Sequence, residues 1–106
     1  VGTDRPYLFV KAGYKHIRVN VEELLYAEAV GDYVKLHMKD KKTILANISL
    51  RELLAKIEKH AFTQVHRSFI VNLSHIESVD DEGISFGKEL IPVGKTYKQS
   101  LQKLLK

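Results

Sequence analysis

The chain has 106 residues, 44% hydrophobic and 28% charged, with 17 basic side chains against 13 acidic ones and a formal net charge of +4. That is one ordinary globular domain with enough apolar material for a small core, too short for a large α/β enzyme with a deep cleft and too apolar for a disordered segment. Cysteine is absent, which excludes disulfide scaffolds, thiolate zinc sites, iron–sulfur clusters and cysteine nucleophiles.

Residues 7–11 (YLFVK) read as a short strand. Residues 14–19 alternate, with Ile17 and Val19 inward and His16 and Arg18 outward, and Gly13 marks the turn between the two runs. Asn20 followed by Glu23 resembles a capping box, so one helical turn is expected there before a strand at 25–30. Gly31-Asp32 is a turn. Residues 33–38 (YVKLHM) are the clearest alternation in the chain, with Val34, Leu36 and Met38 on one face and Tyr33, Lys35 and His37 on the other. Asp40-Lys41 turns into a partner strand at 42–47. Residues 49–60 form the clear helix: Ser49 caps it, Glu52 completes the box, Leu50, Leu53, Leu54 and Ile57 form one buried stripe, and Lys56, Lys59 and His60 suit its C-terminal dipole.

Residues 62–71 read as a strand pair broken around His66-Arg67-Ser68, and 75–79 as a further strand. Gly87-Lys88 joins strands at 84–86 and 89–93 in a two-residue hairpin, with Pro92 at an edge or bulge. Thr96 with Gln99 repeats the capping pattern before a last helix whose face carries Tyr97, Leu101, Leu104 and Leu105. The sum is about nine or ten short strands with one mid-chain helix and one C-terminal helix, a mainly β single domain spanning 1–106.

No stretch approaches the ~20 apolar residues of a membrane helix. The first ten residues hold Asp4, Arg5 and Pro6 and no apolar core, so no secretory signal is expected. The chain opens on Val1 rather than Met, so it reads as a piece of a longer protein. The cytoplasm is the expected compartment.

Charge is segregated. Residues 22–32 carry four acids and no Lys or Arg, residues 35–42 carry four lysines against Asp40, residues 77–82 carry four acids and no base, and residues 92–106 carry Lys95, Lys98, Lys103 and Lys106 and no acid. If the basic segments converge, the fold has a positive face suited to a polyanion.

Catalytic constellations are missing. The five histidines show no HExxH spacing, His66 and Ser68 have neither a nucleophile elbow nor a third partner, and no glycine-rich phosphate loop occurs. No enzyme activity, metal or cofactor is therefore expected. Most aromatics sit at core positions of strands, whereas Tyr33 lies beside Lys35 and His37 on a polar face, where it fits phosphate or base contact as well as an ordinary wet strand.

Residues 62–72, FTQVHRSFIVN, resemble the LytTR DNA-binding signature F-x-x-V-H-R-S-[YF]-[LIV]-V-N. Residues 26–33 (YAEAVGDY), 49–54 (SLRELL) and 91–97 (IPVGKTY) are similar to three further LytTR segments, in the same order and spacing. The resemblance implies an elongated stack of small antiparallel sheets with short helices that reads double-stranded DNA with loops and strand ends. Contacts are implied at three places: the turn before the Tyr33 strand, the HRS segment, and the loop before the last helix. By that resemblance Arg67, Lys95, Tyr33 and Asp32 are the base-contact residues, and His66 and Ser68 phosphate contacts; the charge pattern adds Lys35 and Lys98 as phosphate contacts, with Lys41 and Lys42 adding positive charge. His66 and Ser68 fit bracing of the loop as well. Two residues depart from the pattern: Gly94 stands where the family has Ser, and Lys95 replaces an Arg, losing a bidentate fork to guanine.

The resemblance further implies the C-terminal output domain of a bacterial two-component response regulator, with an N-terminal receiver domain elsewhere in the protein. Two protomers on direct-repeat half-sites are implied as well. The competing reading is a basic β-rich module that binds an acidic protein without reading sequence.

Overall fold

Alternating apolar residues bury one face of each strand and must pair laterally to satisfy their backbone groups. The computed structural model describes residues 7–57, 62–80, 82–86 and 89–105, and shows how that pairing is solved. Among the described residues there are ten strands and two α-helices: β1 (Tyr7–Ala12), β2 (Lys15–Asn20), β3 (Leu24–Val30), β4 (Tyr33–Met38), β5 (Thr43–Ala46), α1 (Leu50–Ile57), β6 (Phe62–His66), β7 (Phe69–Asn72), β8 (Ser78–Asp80), β9 (Gly83–Phe86), β10 (Glu89–Ile91) and α2 (Lys98–Leu105). They form three antiparallel sheets: β1-β2, β5-β4-β3-β7-β6, and β10-β9-β8.

The five-stranded sheet is buried on both faces because its strands carry apolar residues of both parities. Ala27, Val34, Leu36, Ala46 and Ile70 pack on one side with Val10 and Val19 of the first hairpin and Leu53 and Ile57 of α1. Tyr26, Val65 and Val71 pack on the other with Ile84, Phe86, Ile91 and Leu101. The mainly β stack with a mid-chain and a C-terminal helix is thus as the sequence reading expects. Its outline is broad and flat, 40 × 38 × 25 Å, rather than elongated.

Helix α1 starts as its cap dictates: the Glu52 N–H donates to Ser49 Oγ at 3.1 Å, and Ser49 Oγ donates to Glu52 Oε1 at 3.3 Å. The expected helix end at Lys59 and His60 and the Gly87-Lys88 turn lie outside the described residues.

Four local expectations are corrected. At Asn20 the expected helical turn is present as a 3-10 turn, Val21–Glu23, but the capping is not: Asn20 reaches the Glu23 carboxylate at 3.4 Å and caps no backbone N–H. The strand expected at 75–79 begins only at Ser78, as β8, because the Asn72 side chain accepts the Ser74 N–H and turns the chain into a 3-10 turn, Leu73–His75. At the last helix the chain first makes a 3-10 turn, Lys95–Tyr97, whose cap is Gly94 with no side-chain bond, so Thr96 lies inside the turn instead of capping. Of the expected apolar stripe, Leu101 is buried but Leu104 is exposed; the Leu105 side chain lies outside the described residues.

Candidate nucleic-acid interface

Antiparallel pairing decides which loops meet. Strands β3 and β4 reverse at Gly31-Asp32, where Gly31 takes a φ of 59° that favours glycine. Strands β6 and β7 reverse at Arg67-Ser68, with His66 opposite Phe69. Because β3 pairs antiparallel with β7, and the Ala29 N–H donates to the Ser68 carbonyl at 2.8 Å, the two turns lie side by side at one end of the five-stranded sheet. The closing loop joins them: the Gly94 N–H donates to the Val65 carbonyl at 2.8 Å, which sets Lys95 beside the His66 end of β6. The three implied contact places, far apart in the chain, therefore form one end of the molecule.

The Arg67 turn is built to hold its shape. No non-glycine residue described has a positive φ except Lys41, so this two-residue hairpin uses neither primed turn type. The twist mismatch is absorbed by a register shift between Gln64 and His66. His66 Nδ1 then accepts the Ser68 N–H at 3.1 Å, Gln64 Nε2 donates to the His66 carbonyl at 3.1 Å, and the His66 ring meets Phe69 edge-on at 5.6 Å. Accepting at Nδ1 leaves the neutral ring's proton on Nε2. Half-buried His66 and Ser68 thus brace the turn, and exposed Arg67 projects from it.

Around this tip Asp32 and Tyr33 are exposed, Tyr33 lying directly opposite Val30, while Lys95 and Lys98 are exposed where the chain enters α2. Gly94 has a packing reason. A Cβ there would lie 3.0 Å from the Tyr97 ring, so the serine of the family pattern requires that ring to give way. Lys35 sits farther along β4, half-buried and directly across from Glu28 on one side and Leu45 on the other.

Lys41 and Lys42 lie elsewhere. They belong to the turn after Met38, held by the Met38 N–H on the Lys42 carbonyl (2.9 Å) and by Asp40 Oδ1 accepting the Lys42 N–H (3.0 Å). That turn is at the opposite end of β4 from Tyr33, about 17 Å away at the usual rise per residue.

The polar face of β4 is partly covered. His37 stacks on Tyr26 at 4.2 Å, and Phe86 of the third sheet lies 5.5 Å from Tyr26. Burial first, then the carboxylates of Glu89 and Glu28, hold the Tyr26 phenol above its ordinary 10.0. His37 Nε2 is buried without a hydrogen-bond partner, with Glu28 Oε1 3.5 Å away. Nothing in a single strand's alternation announces this cover, which comes from β9 and β10 some fifty residues later. Among the described residues no group of His, Asp and Glu has the arrangement to hold a metal ion, and no helix is long and apolar enough to cross a membrane.

The sequence and the fold both have known counterparts. The LytTr DNA-binding domain family matches residues 14–106. The chain is 39% identical over 64 residues to an uncharacterized response regulatory protein of Vibrio cholerae, covering 58% of this chain and 24% of that protein. It is 30% identical over 96 residues to the sensory transduction protein LytT of Bacillus cereus, covering 85% of this chain and 39% of that protein. It therefore spans well under half the length of these relatives. A solved LytTr DNA-binding domain from Bacillus cereus superposes with a TM-score of 0.79 at 28% identity, covering 93% of this chain and 95% of that one.

Proposed function

The chain belongs to the LytTR DNA-binding domain family, and from that premise we propose that it is the sequence-specific, double-stranded-DNA-binding output domain of a bacterial two-component transcriptional regulator. The observation that carries this reading is the convergence of the Gly31-Asp32 turn, the braced Arg67 turn and the Lys95 loop on one end of the sheet. Rigid turns position side chains at base edges, and surrounding cations supply sequence-independent attraction through counterion release. Arg67 is the base reader of this proposal, with Lys95, Tyr33 and Asp32 beside it; Lys98, Lys35 and the polar groups of His66 and Ser68 face phosphates.

One small module makes few base contacts. Two protomers on direct-repeat half-sites supply the remaining specificity, and an N-terminal receiver domain controls them in the cytoplasm. Kinship with response regulatory and sensory transduction proteins supports the receiver assignment.

The test is selection from a random duplex library at about 150 mM salt, followed by titration of the selected duplex against a scrambled one. Enrichment of a short motif, repeated about one helical turn apart, supports the proposal in full. Weak binding equal on every duplex refutes sequence reading and leaves the basic protein-interaction module.

A further inference from the structure

Residues 7–20 contain Lys11, Lys15 and Arg18 and no acid, which is three of the chain's net four positive charges in fourteen residues. Lys11, Lys15, His16 and Arg18 are all exposed. So are Tyr7, Phe9 and Tyr14, the last completely. The pairing register explains why. Val10 and Val19 turn inward onto the core, with Leu8 and Ile17 packed against it, so Tyr7, Phe9 and Lys11 share the outer face with their partners Asn20, Arg18 and His16. The face is ordered: Tyr7 and Phe9 meet edge-on at 6.0 Å and the Arg18 guanidinium lies 5.7 Å over the Tyr7 ring.

The hairpin's direction follows from its two anchors. Strand β2 ends at Asn20 and leads through Val21–Glu23 into Leu24, which pairs with Met38 at the end of the sheet away from the contact turns. At the other end of the hairpin the Asn47 N–H donates to the Lys11 carbonyl at 2.7 Å. Asn47 follows Ala46, the partner of Val34, so it lies at the Tyr33 end. The Gly13-Tyr14 turn therefore points the same way as the Gly31-Asp32 and Arg67-Ser68 turns. It sits beside β5, at the opposite edge of the sheet from β6. With strands about 4.8 Å apart, the hairpin turn and the Arg67 turn are separated by roughly 20 Å, or about six base pairs at 3.4 Å each.

We infer that the β1–β2 hairpin tip is a fourth DNA contact, in which Lys11 and Lys15, with Tyr14 between them, hold the phosphate backbone flanking the base-read site on one side only. The inference rests on the DNA-binding reading above and extends it. The family match begins at residue 14, so β1 and Lys11 lie outside it. Exposed lysines on a short hairpin suit phosphates, for which a flexible point charge suffices.

The test pairs the full chain with a Lys11→Ala/Lys15→Ala variant on the selected duplex, its scrambled form, and selected duplexes shortened from either flank. Both side chains are exposed and the Lys11 carbonyl bond is retained, so thermal unfolding should be unchanged; Lys15→Glu alone is the second variant. Two lost phosphate contacts lower the salt slope by about 1.8, so the loss of affinity between 50 and 200 mM salt becomes about twelvefold smaller than for the unmodified chain. The ratio of selected to scrambled affinity stays the same. Removing the flank on one side of the duplex should abolish the difference between variant and unmodified chain, and removing the other flank should not. Unchanged affinity and slope in both variants, with sequence preference intact, overturns the hairpin contact while leaving the Arg67 reading standing. A loss of affinity that persists on duplexes lacking both flanks overturns it too. So does unaltered DNA binding accompanied by lost self-association in sedimentation, which would assign the hairpin to a protein partner. Absence of any sequence preference in the unmodified chain strikes the base-reading proposal instead, and the salt slope alone then decides the hairpin.

Discussion

Asn72 closes the family signature, yet its geometry is that of a beam and not of a reader. It is 2% exposed, and its amide does two jobs: Nδ2 donates to the Leu24 carbonyl at 2.9 Å, and Oδ1 accepts the Ser74 N–H at 2.9 Å. The first bond is needed because the β3–β7 ladder begins only at Tyr26 and Val71, which leaves the Leu24 carbonyl beyond it on the β7 side. Leu24 is fully buried, so water does not replace the amide. Asn72→Ala removes the bond to the Ser74 N–H, about 1 kcal/mol, and leaves the buried Leu24 carbonyl without its donor at about 1–3 kcal/mol, for a total of about 2–4 kcal/mol. For a domain this size that lowers Tm by roughly 10–25 °C.

The assay is urea and thermal unfolding followed by circular dichroism. Asn72→Asp supplies the control. It keeps the acceptor for Ser74 but loses the donor and buries a carboxylate, so it should be at least as unstable as the alanine variant at pH 7. Burial raises that carboxyl above the usual aspartate range. A raised folded-state pKa means stability is present at low pH and lost as pH rises, so Asn72→Asp should regain stability on acidification, when the protonated carboxyl donates to Leu24. If Asn72→Ala unfolds within about 0.5 kcal/mol of the parent, the range of an ordinary surface substitution, and yet loses DNA affinity, the structural assignment is wrong and Asn72 touches the ligand.

Three further outcomes are expected. Arg67→Ala should leave unfolding unchanged but reduce discrimination between selected and scrambled duplexes by about 1–3 kcal/mol, whereas Lys98→Ala should weaken both equally and lower the salt slope by about one; competition titrations separate the two. His66→Ala should cost about 1 kcal/mol of stability and weaken binding to every duplex by loosening the Arg67 turn, while His66→Asn, whose side chain accepts the same N–H two residues on, should restore much of both. The raised Tyr26 phenol binds its proton more tightly folded than unfolded, so its contribution to stability should be fully present below pH 10 and be lost as pH rises through the folded value; Tyr26→Phe should flatten that alkaline decline in a pH series of urea midpoints.

Local features were readable where a few neighbouring residues decide them. The alternation of 33–38 became β4 with Val34, Leu36 and Met38 buried, and Ser49 with Glu52 started α1. The break at His66-Arg67-Ser68 became a tight turn, though its brace through His66 Nδ1 depends on a ring orientation that no pattern encodes. What was not readable is set by partners distant in the chain. The sheet order depends on β3 pairing with β7 across some forty residues, and only that order tells Lys95 from Lys41 as a neighbour of Arg67. The cover over His37 and the exposure of Leu104 likewise depend on where another element does or does not pack. The acid-free run at 7–20 was visible in the sequence, but its bearing on DNA needed the single backbone bond from Asn47 to Lys11.

The burial of the signature segment explains why family membership is so legible while the target is not. Across residues 62–72 only Arg67 is exposed; Phe62, Val65, Ile70, Val71 and Asn72 are buried, and the rest are half-buried. Selection for packing and for the Asn72 bridge therefore acts on nearly every position of the motif, because a buried substitution costs several kcal/mol in a domain whose whole stability is of order 10 kcal/mol. The exposed side chains of the tip, Asp32, Tyr33, Arg67 and Lys95, pay no such penalty when changed. On the proposed function Asp32 and Lys95 are free to follow the DNA site, whereas Arg67, exposed yet fixed in the family signature, is held by the contact it makes; Lys95 and Gly94, the two departures from the family pattern, both fall in the closing loop. The same fold thus holds a fixed reader, Arg67, beside replaceable ones at one end, and specificity among family members is expected to vary at the positions of Asp32 and Lys95 without disturbing the sheet beneath them.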